Sequence, residues 1–398
     1  MQPILNACEN LIYAGRYRGT IQKKQLTLYL DERRSHRRAL HRINSFIMKR
    51  IIILQTLVAV FLLTGQAHAQ AALPTDRIVA THYVKADGKT DVTEALQHLI
   101  DTHPNRTIYF PDGVYLLSHS LYTPADPTKS VMLVLDNYAR LQASPHWQGG
   151  AVVRLGGEHP ANNITIPGSN YGLRGGIIDG ANVADGISID GGRETTIQDV
   201  SIKHVRIGIH VKHGANSGSS DADIRQVNIV GNDSVNSIGL LVEGYDNTFT
   251  NMRIASVHTG VWVKTGGNCL RNIHPLYIFK PTQQYEGSCG FRVEQNNNWL
   301  DFCYSDQFAT GFSLGRDICA TFTNCFCFWY TGKVPSQTAI EAQGQLNSLF
   351  TGLHANFHAD CTDATIIKAK AGGRGRLTAT EYFGRKLKDS DAAKYYLK

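Results

Sequence analysis

A short glycine-centred pattern recurs through the middle of this 398-residue chain. In each copy the glycine is followed by an apolar residue, a variable residue and a second apolar residue; the six glycines are Gly186, Gly208, Gly239, Gly260, Gly290 and Gly311. Successive glycines lie 22, 31, 21, 30 and 21 residues apart, so insertions extend a basic unit in places. Such spacing is typical of stacked repeats. The units are short β-branched stretches without room for a crossover helix, which favours a parallel β-helix, a solenoid of stacked coils.

Alternation within the repeats assigns their faces. Residues one and three positions after each glycine are apolar and are expected to point inward, so function must come from the outward residues between and after them. Four positions after the glycine, successive coils carry Lys212, Glu243, Lys264 and Glu294. Alternating charges on neighbouring coils predict a self-neutralising ladder of ion pairs.

The segment 86–117 differs from the repeats. Asp91 precedes a run with one apolar helical face, and two short strand patterns follow at residues 107–110 and 114–117. A helix here is expected to cover the open end of a solenoid, where apolar residues and unpaired backbone groups would otherwise be exposed. Segment 86–117 is therefore predicted to be an N-terminal cap.

This same segment resembles the opening of the pectate-lyase superfamily domain typified by the rhamnogalacturonase/epimerase-like β-helix proteins. The run from Gly175 to Gly180 (Gly-Gly-Ile-Ile-Asp-Gly) is similar to a strand of that group. The resemblance covers roughly residues 75–370 and implies an all-β, right-handed parallel β-helix with an N-terminal capping helix. It implies less about chemistry, because the superfamily includes lyases, glycoside hydrolases and phage tailspikes.

The start of the chain has the pattern of a secretory signal. Met48 opens a basic triplet, residues 51–64 are apolar, and Ala-His-Ala at residues 67–69 precedes Gln70. We expect residues 1–47 to be a non-native upstream extension and residues 48–69 a signal peptide cleaved after Ala69. The apolar run is shorter than the roughly 20 residues that span a bilayer, so no membrane span is expected. A secreted or periplasmic protein is predicted.

The remaining residues, 70–398, are predicted to form one β-helix domain. Its coils are expected at about residues 120–370, with a polar C-terminal tail at residues 372–398. The first 50 residues contain 11 Lys/Arg and 3 Asp/Glu, and the whole chain has a net charge of +7, so residues 70–398 carry only −1. The basic character therefore belongs to the upstream segment, and no nucleic-acid partner is expected.

Two further positions repeat from coil to coil. Just before an inward residue stand Asp199, Asn251, Asn272 and, in a later coil, Asn324, which predicts a turn at which asparagine side chains bond along the stack. Cys303 and Cys325 occupy equivalent positions in neighbouring coils and are interpreted as buried thiols or a disulfide.

An outward stripe supplies the candidate catalytic residues. It contains Arg253, His274 and Tyr304 on consecutive coils, with Asp306 two residues beyond Tyr304. This grouping suits β-elimination from a uronic acid, in which an arginine neutralises the substrate carboxylate and thereby acidifies the C5 proton. His274 or Tyr304 would take that proton, the other would protonate the leaving oxygen, and Asp306 would orient the histidine or bind a hydroxyl.

Two other functions stay open. A glycoside hydrolase or glycosyl transferase would use paired carboxylates, for which the candidates are Asp301, Asp306, Glu243 and Asp223. The third function is a non-catalytic, glycan-binding or tailspike-like module. An unsaturated product separates a lyase from a hydrolase, and the release of any oligosaccharide separates both from a binding module.

Substrate contacts are predicted at Trp262, Arg292 and Lys264, which stand outward on neighbouring coils. An outward tryptophan on a flat sheet can stack on a sugar ring. The expected partner is a polysaccharide or oligosaccharide. No metal ligand set is evident and calcium is the one cofactor considered; a homotrimer is the expected assembly, since proteins of this fold often associate through their sides.

Overall fold

The structure is a computed structural model that describes residues 77–157, 171–213, 219–278, 285–331, 336–361 and 363–383. In chain order the first elements are β1 (Arg77–Val79), β2 (Asp87–Asp91), α1 (Thr93–Thr102), β3 (Thr107–Phe110), β4 (Gly113–Tyr122), β5 (Met132–Leu135), β6 (Ala139–Leu155), β7 (Gly172–Arg174), β8 (Ile177–Asp179), β9 (Asp185–Ile189), β10 (Thr196–Gln198), β11 (Ser201–Val205) and β12 (Ile207–Val211). They continue as β13 (Asp223–Gly231), β14 (Ile238–Val242), β15 (Thr248–Ala255), β16 (Thr259–Val263), β17 (Cys269–Leu276), β18 (Cys289–Val293), β19 (Trp299–Asp301), β20 (Tyr304–Asp306), β21 (Thr310–Leu314), β22 (Thr321–Thr323), β23 (Phe326–Trp329), β24 (Gln337–Gln345), β25 (Leu349–Thr351), β26 (His354–Phe357), β27 (Ala364–Lys370), β28 (Arg376–Thr378) and β29 (Glu381–Phe383). Two short 3-10 turns lie at Ala80–His82 and Pro127–Lys129.

Equivalent strands of successive coils pair in parallel and form three ladders. Ladder A consists of β1, β3, β5, β7, β10, β19, β22, β25 and β28 with the first halves of β13, β15 and β17. Ladder B consists of β2, β8, β11, β20, β23, β26 and β29 with the first parts of β4 and β6 and the second halves of β13, β15 and β17. Ladder C consists of the ends of β4 and β6 with β9, β12, β14, β16, β18, β21, β24 and β27. The predicted parallel β-helix is therefore confirmed.

The recurring glycine is explained by a close approach inside the coil. A Cβ placed on Gly239 would lie 2.3 Å from Ile254 Cγ2, and one on Gly260 would lie 2.3 Å from Pro275 Cβ. Ladder C therefore passes too near the inward side chains of ladder B to carry a side chain at this point. The apolar residue after each glycine, such as Val261, is fully buried in the core.

The helix predicted in the N-terminal segment is α1. Its first amide, on Thr93, donates to Asp91 Oδ1 at 3.0 Å, which satisfies one of the free N–H groups at the helix start. Leu96, Leu99 and Ile100 are buried in the same core as the coils. Among the described residues, no helix is long and apolar enough to cross a membrane.

The predicted limits of the coils are too narrow at both ends. Parallel pairing starts at β1, which pairs with β3, so segment 86–117 contributes strands as well as the helix. At the other end β28 and β29 pair with β25 and β26, where a polar tail from residue 372 was expected. The reason is local: Leu377 is fully buried and lies in register with Phe350. Residues 1–76 and 384–398, which include the predicted signal peptide, lie outside the described residues.

The predicted turn ladder lies at the corner where ladder A becomes ladder B. In these coils one residue with positive φ makes the corner. Examples are Asp199 at 58°, Asn251 at 55° and Asn272 at 52°. Asparagine and aspartate adopt this left-handed conformation more readily than other non-glycine residues. Asn272 Nδ2 donates to Asn251 Oδ1 at 2.8 Å, as predicted. In the next coil the position is taken by Phe302, at 57°, which interrupts the asparagines before Asn324.

The cysteines of the described residues are free thiols. Cys303 and Cys325 are both buried and are not joined by a disulfide, which agrees with their interpretation as buried thiols. Burial raises the pKa of the Cys325 thiol to about 12.

Candidate functional site

Ladder C is the face bordered by long connections. The chain turns from ladder A to ladder B through one residue, whereas residues 232–237 and 277–288 connect ladder B to ladder C and residues 212–222 lead from ladder C back to ladder A. Insertions between coils are where solenoids build the walls of a binding face. The outward row of ladder C, one residue per coil, reads Arg154, Ser188, His210, Leu241, Trp262, Arg292, Ser313, Glu341 and Lys368.

A buried carboxylate organises the first part of this row. The Asp190 side chain is only 2% exposed and accepts from Arg154 Nε at 2.7 Å, Lys212 Nζ at 2.9 Å and Ser188 Oγ at 2.6 Å. Burying a carboxylate in this way requires opposite charges and hydrogen bonds around it. Asp190 therefore fixes Arg154 and Lys212 as two oriented cations at one place on ladder C.

The next coils carry a second group of charges. Glu243 Oε2 lies 2.7 Å from His210 Nε2, and Glu243 Oε1 accepts from Lys264 Nζ at 2.8 Å. Partial burial alone would raise the pKa of Glu243, but the hydrogen bonds from Lys264 and His210 outweigh it and lower the pKa below its usual value. Since an ionised carboxylate only accepts, the Nε2 atom of His210 carries the proton and a neutral ring keeps its lone pair on Nδ1. This is the arrangement of a base oriented by a carboxylate.

The three predicted substrate-binding residues come together on the same ladder. The Trp262 ring has Lys264 Nζ 4.4 Å and Arg292 Cζ 4.2 Å from its centroid. It also packs against the buried Leu241 of the preceding coil. Cation–π attraction to the Trp262 ring stabilises each of the two cations in its position. Trp262 is half-buried, so its ring both contacts the two cations and forms part of the surface.

The predicted charge ladder is formed only in part. Lys264 pairs with Glu243 on the preceding coil, as the alternation predicts. Lys212 pairs with Asp190, which stands four positions after Gly186 and so extends the stripe by one coil, whereas Glu294 accepts from Arg292 Nη2 at 2.6 Å. Arg292, which lies outside the predicted stripe, competes for Glu294 because it stands on the same outward face.

The predicted catalytic residues lie on ladder B. His274 and Tyr304 are stacked, with ring centroids 4.0 Å apart and an angle of 12° between the rings. Tyr304 donates to Asp306 Oδ2 at 3.2 Å, and His274 Nε2 lies 3.6 Å from the same oxygen. Burial raises the pKa of Tyr304, and the neighbouring charge of Asp306 adds to the shift. Three of the four predicted residues are therefore in one cluster.

Arg253 does not complete that cluster. It is in register with His274 on the neighbouring strand, but its guanidinium donates to the carbonyl oxygens of Met252 and Asn272 at 3.2 and 3.5 Å. The predicted residues thus belong to two surfaces: the catalytic set on ladder B and the substrate-binding set on ladder C.

The ladder B cluster is also closed. His274 Nε2 and Asp306 Oδ1 are buried and have no hydrogen-bond partner among the described residues. The Tyr304 ring lies between His274 on the preceding coil and Phe326 on the following coil, whose ring centroid is 4.7 Å away. A substrate proton could reach this Nε2 atom only if the stack opened. The two histidine side chains are similarly exposed, 21% for His210 and 23% for His274, so the difference lies in their partners: Glu243 holds His210 at 2.7 Å, whereas Asp306 lies 3.6 Å from His274.

Comparisons with known proteins agree with this fold. The profile of the family "Rhamnogalacturonase A/epimerase, pectate lyase-like" matches residues 77–275, which is half of the chain. The chain belongs to this family. No curated protein gives a significant match.

Solved structures similar to this family member are distant in sequence. A mutant tailspike protein of E. coli bacteriophage HK620, in complex with a hexasaccharide, is 14% identical with a TM-score of 0.61; the match covers 78% of this chain and 62% of the tailspike. The A-module of the Azotobacter vinelandii mannuronan C-5 epimerase AlgE6 is 13% identical with a TM-score of 0.50; that match covers 78% of this chain and all of the module. At these identities the similarity establishes the β-helix fold.

Sequence reasoning missed three residues of the ladder C groups in this family member: Arg154, Asp190 and His210. His210 was detectable, because it stands two positions after its glycine, exactly as Trp262 and Arg292 do. Arg154 has no such glycine. Asp190 stands four positions after Gly186, in the stripe of charges, but its burial does not follow from the sequence. In the part of the chain that the structure describes, no three His, Cys, Asp or Glu side chains converge as metal ligands, and calcium binding stays a prediction.

Proposed function

We propose that this protein is a carbohydrate-active enzyme that cleaves a uronic-acid-containing polysaccharide by β-elimination. The observation that carries the proposal is the His210–Glu243 pair on ladder C, with Lys212 and Lys264 on the same face. Membership of a family named for rhamnogalacturonase A and an epimerase supports a carbohydrate substrate. The tailspike with a bound hexasaccharide and the mannuronan epimerase support it at the level of fold.

The residues divide the reaction between them. Lys212, two residues from His210 and about 7 Å along the strand, contacts the substrate carboxylate and acidifies the C5 proton. His210 Nδ1 takes that proton, and the C5 electron pair forms the C4–C5 double bond. The bond from C4 to the glycosidic oxygen breaks, and the leaving oxygen takes a proton from Lys264.

The ladder B residues His274, Tyr304 and Asp306, with Arg253, are the rival centre for the same reaction. Ladder C is favoured because Glu243 holds its histidine at 2.7 Å, against 3.6 Å between Asp306 and His274, and because Lys212 and Lys264 lie on the same face. On ladder B the His274 nitrogen is buried and the Arg253 guanidinium is occupied by backbone carbonyls.

A hydrolase with paired carboxylates is less well supported. Asp223 accepts from Arg225 at 2.6 Å, Asp301 lies 3.4 Å from Arg271, and Glu243 is held by Lys264. A neighbouring cation favours the ionised form, whereas a general acid must stay protonated near neutral pH.

The experiment is a polysaccharide panel containing polyuronates and neutral glycans. We expect near-ultraviolet absorbance from the unsaturated product, together with new reducing ends, on polyuronates alone. Reducing ends without absorbance would indicate a hydrolase. Affinity without any released oligosaccharide would indicate a binding module.

We also propose that the protein acts outside the cytoplasm, because residues 48–69 have the pattern of a signal peptide. The homotrimer is likewise a proposal.

A further inference from the structure

A second surface with the chemistry of a glycan site lies at the corner between ladders A and B. It is an open groove of about 490 Å³ lined by Thr250, Asn251, Arg271, Asn272 and Phe302. These residues come from three consecutive coils. The groove is built on strands of the scaffold and on the tight one-residue corner, so its position is fixed by the coil.

Phe302 is the unexpected residue of this groove. It takes the left-handed corner conformation, with φ of 57°, at the position filled by Asn251 and Asn272 in the preceding coils. A bulky aromatic residue is a true outlier in this region of backbone space. Burial does not compensate for it, because Phe302 is 63% exposed. Strain of this kind, kept without a packing benefit, is a reason to look for function.

A second aromatic residue accompanies Phe302 on the same coil. Trp299 is 50% exposed and stands on ladder A in register with Cys269 and Thr321. Aromatic rings offer large, rigid apolar surfaces that can pack against the C–H groups of a sugar ring. Phe302 lines the groove, and Trp299 is a second exposed ring three residues before it on the same coil.

The polar groups of the groove suit an acidic sugar. Arg271 is 68% exposed at its side chain and lies 3.4 Å from Asp301. The guanidinium of Arg271 has five N–H donors, more than its one contact with Asp301 uses, which leaves donors for a ligand carboxylate. The side-chain amides of Asn251 and Asn272 supply donors and acceptors for hydroxyl groups.

We propose that this groove is a non-catalytic binding site for an acidic oligosaccharide, separate from the ladder C face. It would hold a polymeric ligand on the protein at a distance from the reacting bond. Binding here needs no turnover, so a change in binding without a change in product release distinguishes this site from the proposed reaction.

The test is affinity electrophoresis in gels that contain polygalacturonate, alginate or dextran. Phe302→Asn should weaken retardation by at least one polyuronate about tenfold, a change of about 1.4 kcal/mol. It should also raise the melting temperature, because asparagine accepts the corner conformation and can join the Asn251–Asn272 bonding. Arg271→Gln should weaken the same retardation without that gain in stability. Dextran should not retard the protein.

The matched control is Tyr138→Asn, which removes an aromatic side chain that is 75% exposed and does not line the groove. This variant should be retarded like the wild type. Wild-type retardation of both Phe302→Asn and Arg271→Gln would overturn the proposal, as would equal retardation by dextran. Release of product from a short oligouronate should be unchanged in both groove variants; a loss of that activity with intact retardation would assign them to catalysis instead.

Discussion

His210 and Glu243 lie on consecutive coils of ladder C, and their side chains meet with Nε2 2.7 Å from Oε2. Lys264, on the coil after Glu243, holds the other carboxylate oxygen at 2.8 Å. Glu243 is 33 positions from His210 and 21 positions from Lys264 in the sequence, yet the three side chains form one group. The stacking of coils makes this contact, since neither pair is close along the chain.

Glu243 should make the folded state sensitive to acid. Its pKa is lowered in the folded protein, so its stabilising contribution is complete above the ordinary glutamate pKa of about 4.3 and is lost as pH falls through the lower folded value. Chemical unfolding from pH 7 to pH 3 should therefore show a smaller loss of stability in Glu243→Gln than in the wild type. Parallel pH curves for the two proteins would contradict the assignment.

Asp190→Asn should be strongly destabilising. The change leaves Arg154 and Lys212 without their shared carboxylate, and removing one partner of a buried pair costs on the order of 3 kcal/mol. Denaturant unfolding at neutral pH measures this loss. The matched control is Glu294→Gln, whose partner Arg292 is more exposed and whose loss should cost about 1 kcal/mol or less. Equal effects of the two changes would show that Asp190 does not organise the cations.

Lys212→Met should mainly impair acidic substrates. The ammonium group is assigned to the substrate carboxylate, so its loss should lower kcat/KM on polyuronates by about 10²-fold, in the range for removing one electrostatic contact. An esterified polyuronate lacks the negative charge and should be affected much less. The comparison of the two substrates is the readout; an equal loss on both would assign Lys212 to folding alone.

The corner asparagines can be tested by two substitutions at one position. Asn272→Ala should destabilise through both the left-handed backbone, at about 1–2 kcal/mol, and the lost bond to Asn251, at about 1 kcal/mol. Asn272→Gly should lose only the bond, because glycine accepts φ of 52°. Thermal unfolding of the pair separates the two contributions. A glycine variant that is no more stable than the alanine variant would contradict this account.

Thiol reactivity should follow burial. Cys319 is exposed, whereas Cys303, Cys325 and Cys327 are buried free thiols. In the folded protein an aromatic disulfide reagent should label Cys319 rapidly, and the buried thiols only after denaturant is added. Cys319→Ser removes the fast phase as a control. A reducing agent should leave the melting temperature unchanged; a marked decrease would reveal a disulfide.

The fold was predictable because its signal is repeated. Three features recur from coil to coil: the glycine, the inward apolar pair and the corner asparagine. The glycine follows from a close approach, such as that of Gly239 to Ile254, the apolar pair from burial, and the asparagine from the positive φ of the corner. Register was therefore predictable across coils, including the neighbours Arg253 and His274.

The site was less predictable because side-chain direction does not follow from register. Arg253 stands beside His274 along the ladder, yet its guanidinium turns to backbone carbonyls. Asp190 becomes important through burial, which the sequence does not display. The ends of the coils were misjudged for a related reason, since Leu377 is a single apolar residue in a polar segment and only its buried position shows that the stack continues.

The most direct measurement compares His210→Gln with His274→Gln for near-ultraviolet absorbance released from a polyuronate that the wild type cleaves. Both substitutions keep a polar side chain of similar size. We expect His210→Gln to lower kcat by about 10²–10⁴-fold, the range for a general base, and His274→Gln to retain activity. Full activity in His210→Gln, together with loss of activity in a folded His274→Gln, would contradict the assignment to ladder C and move the reaction to ladder B.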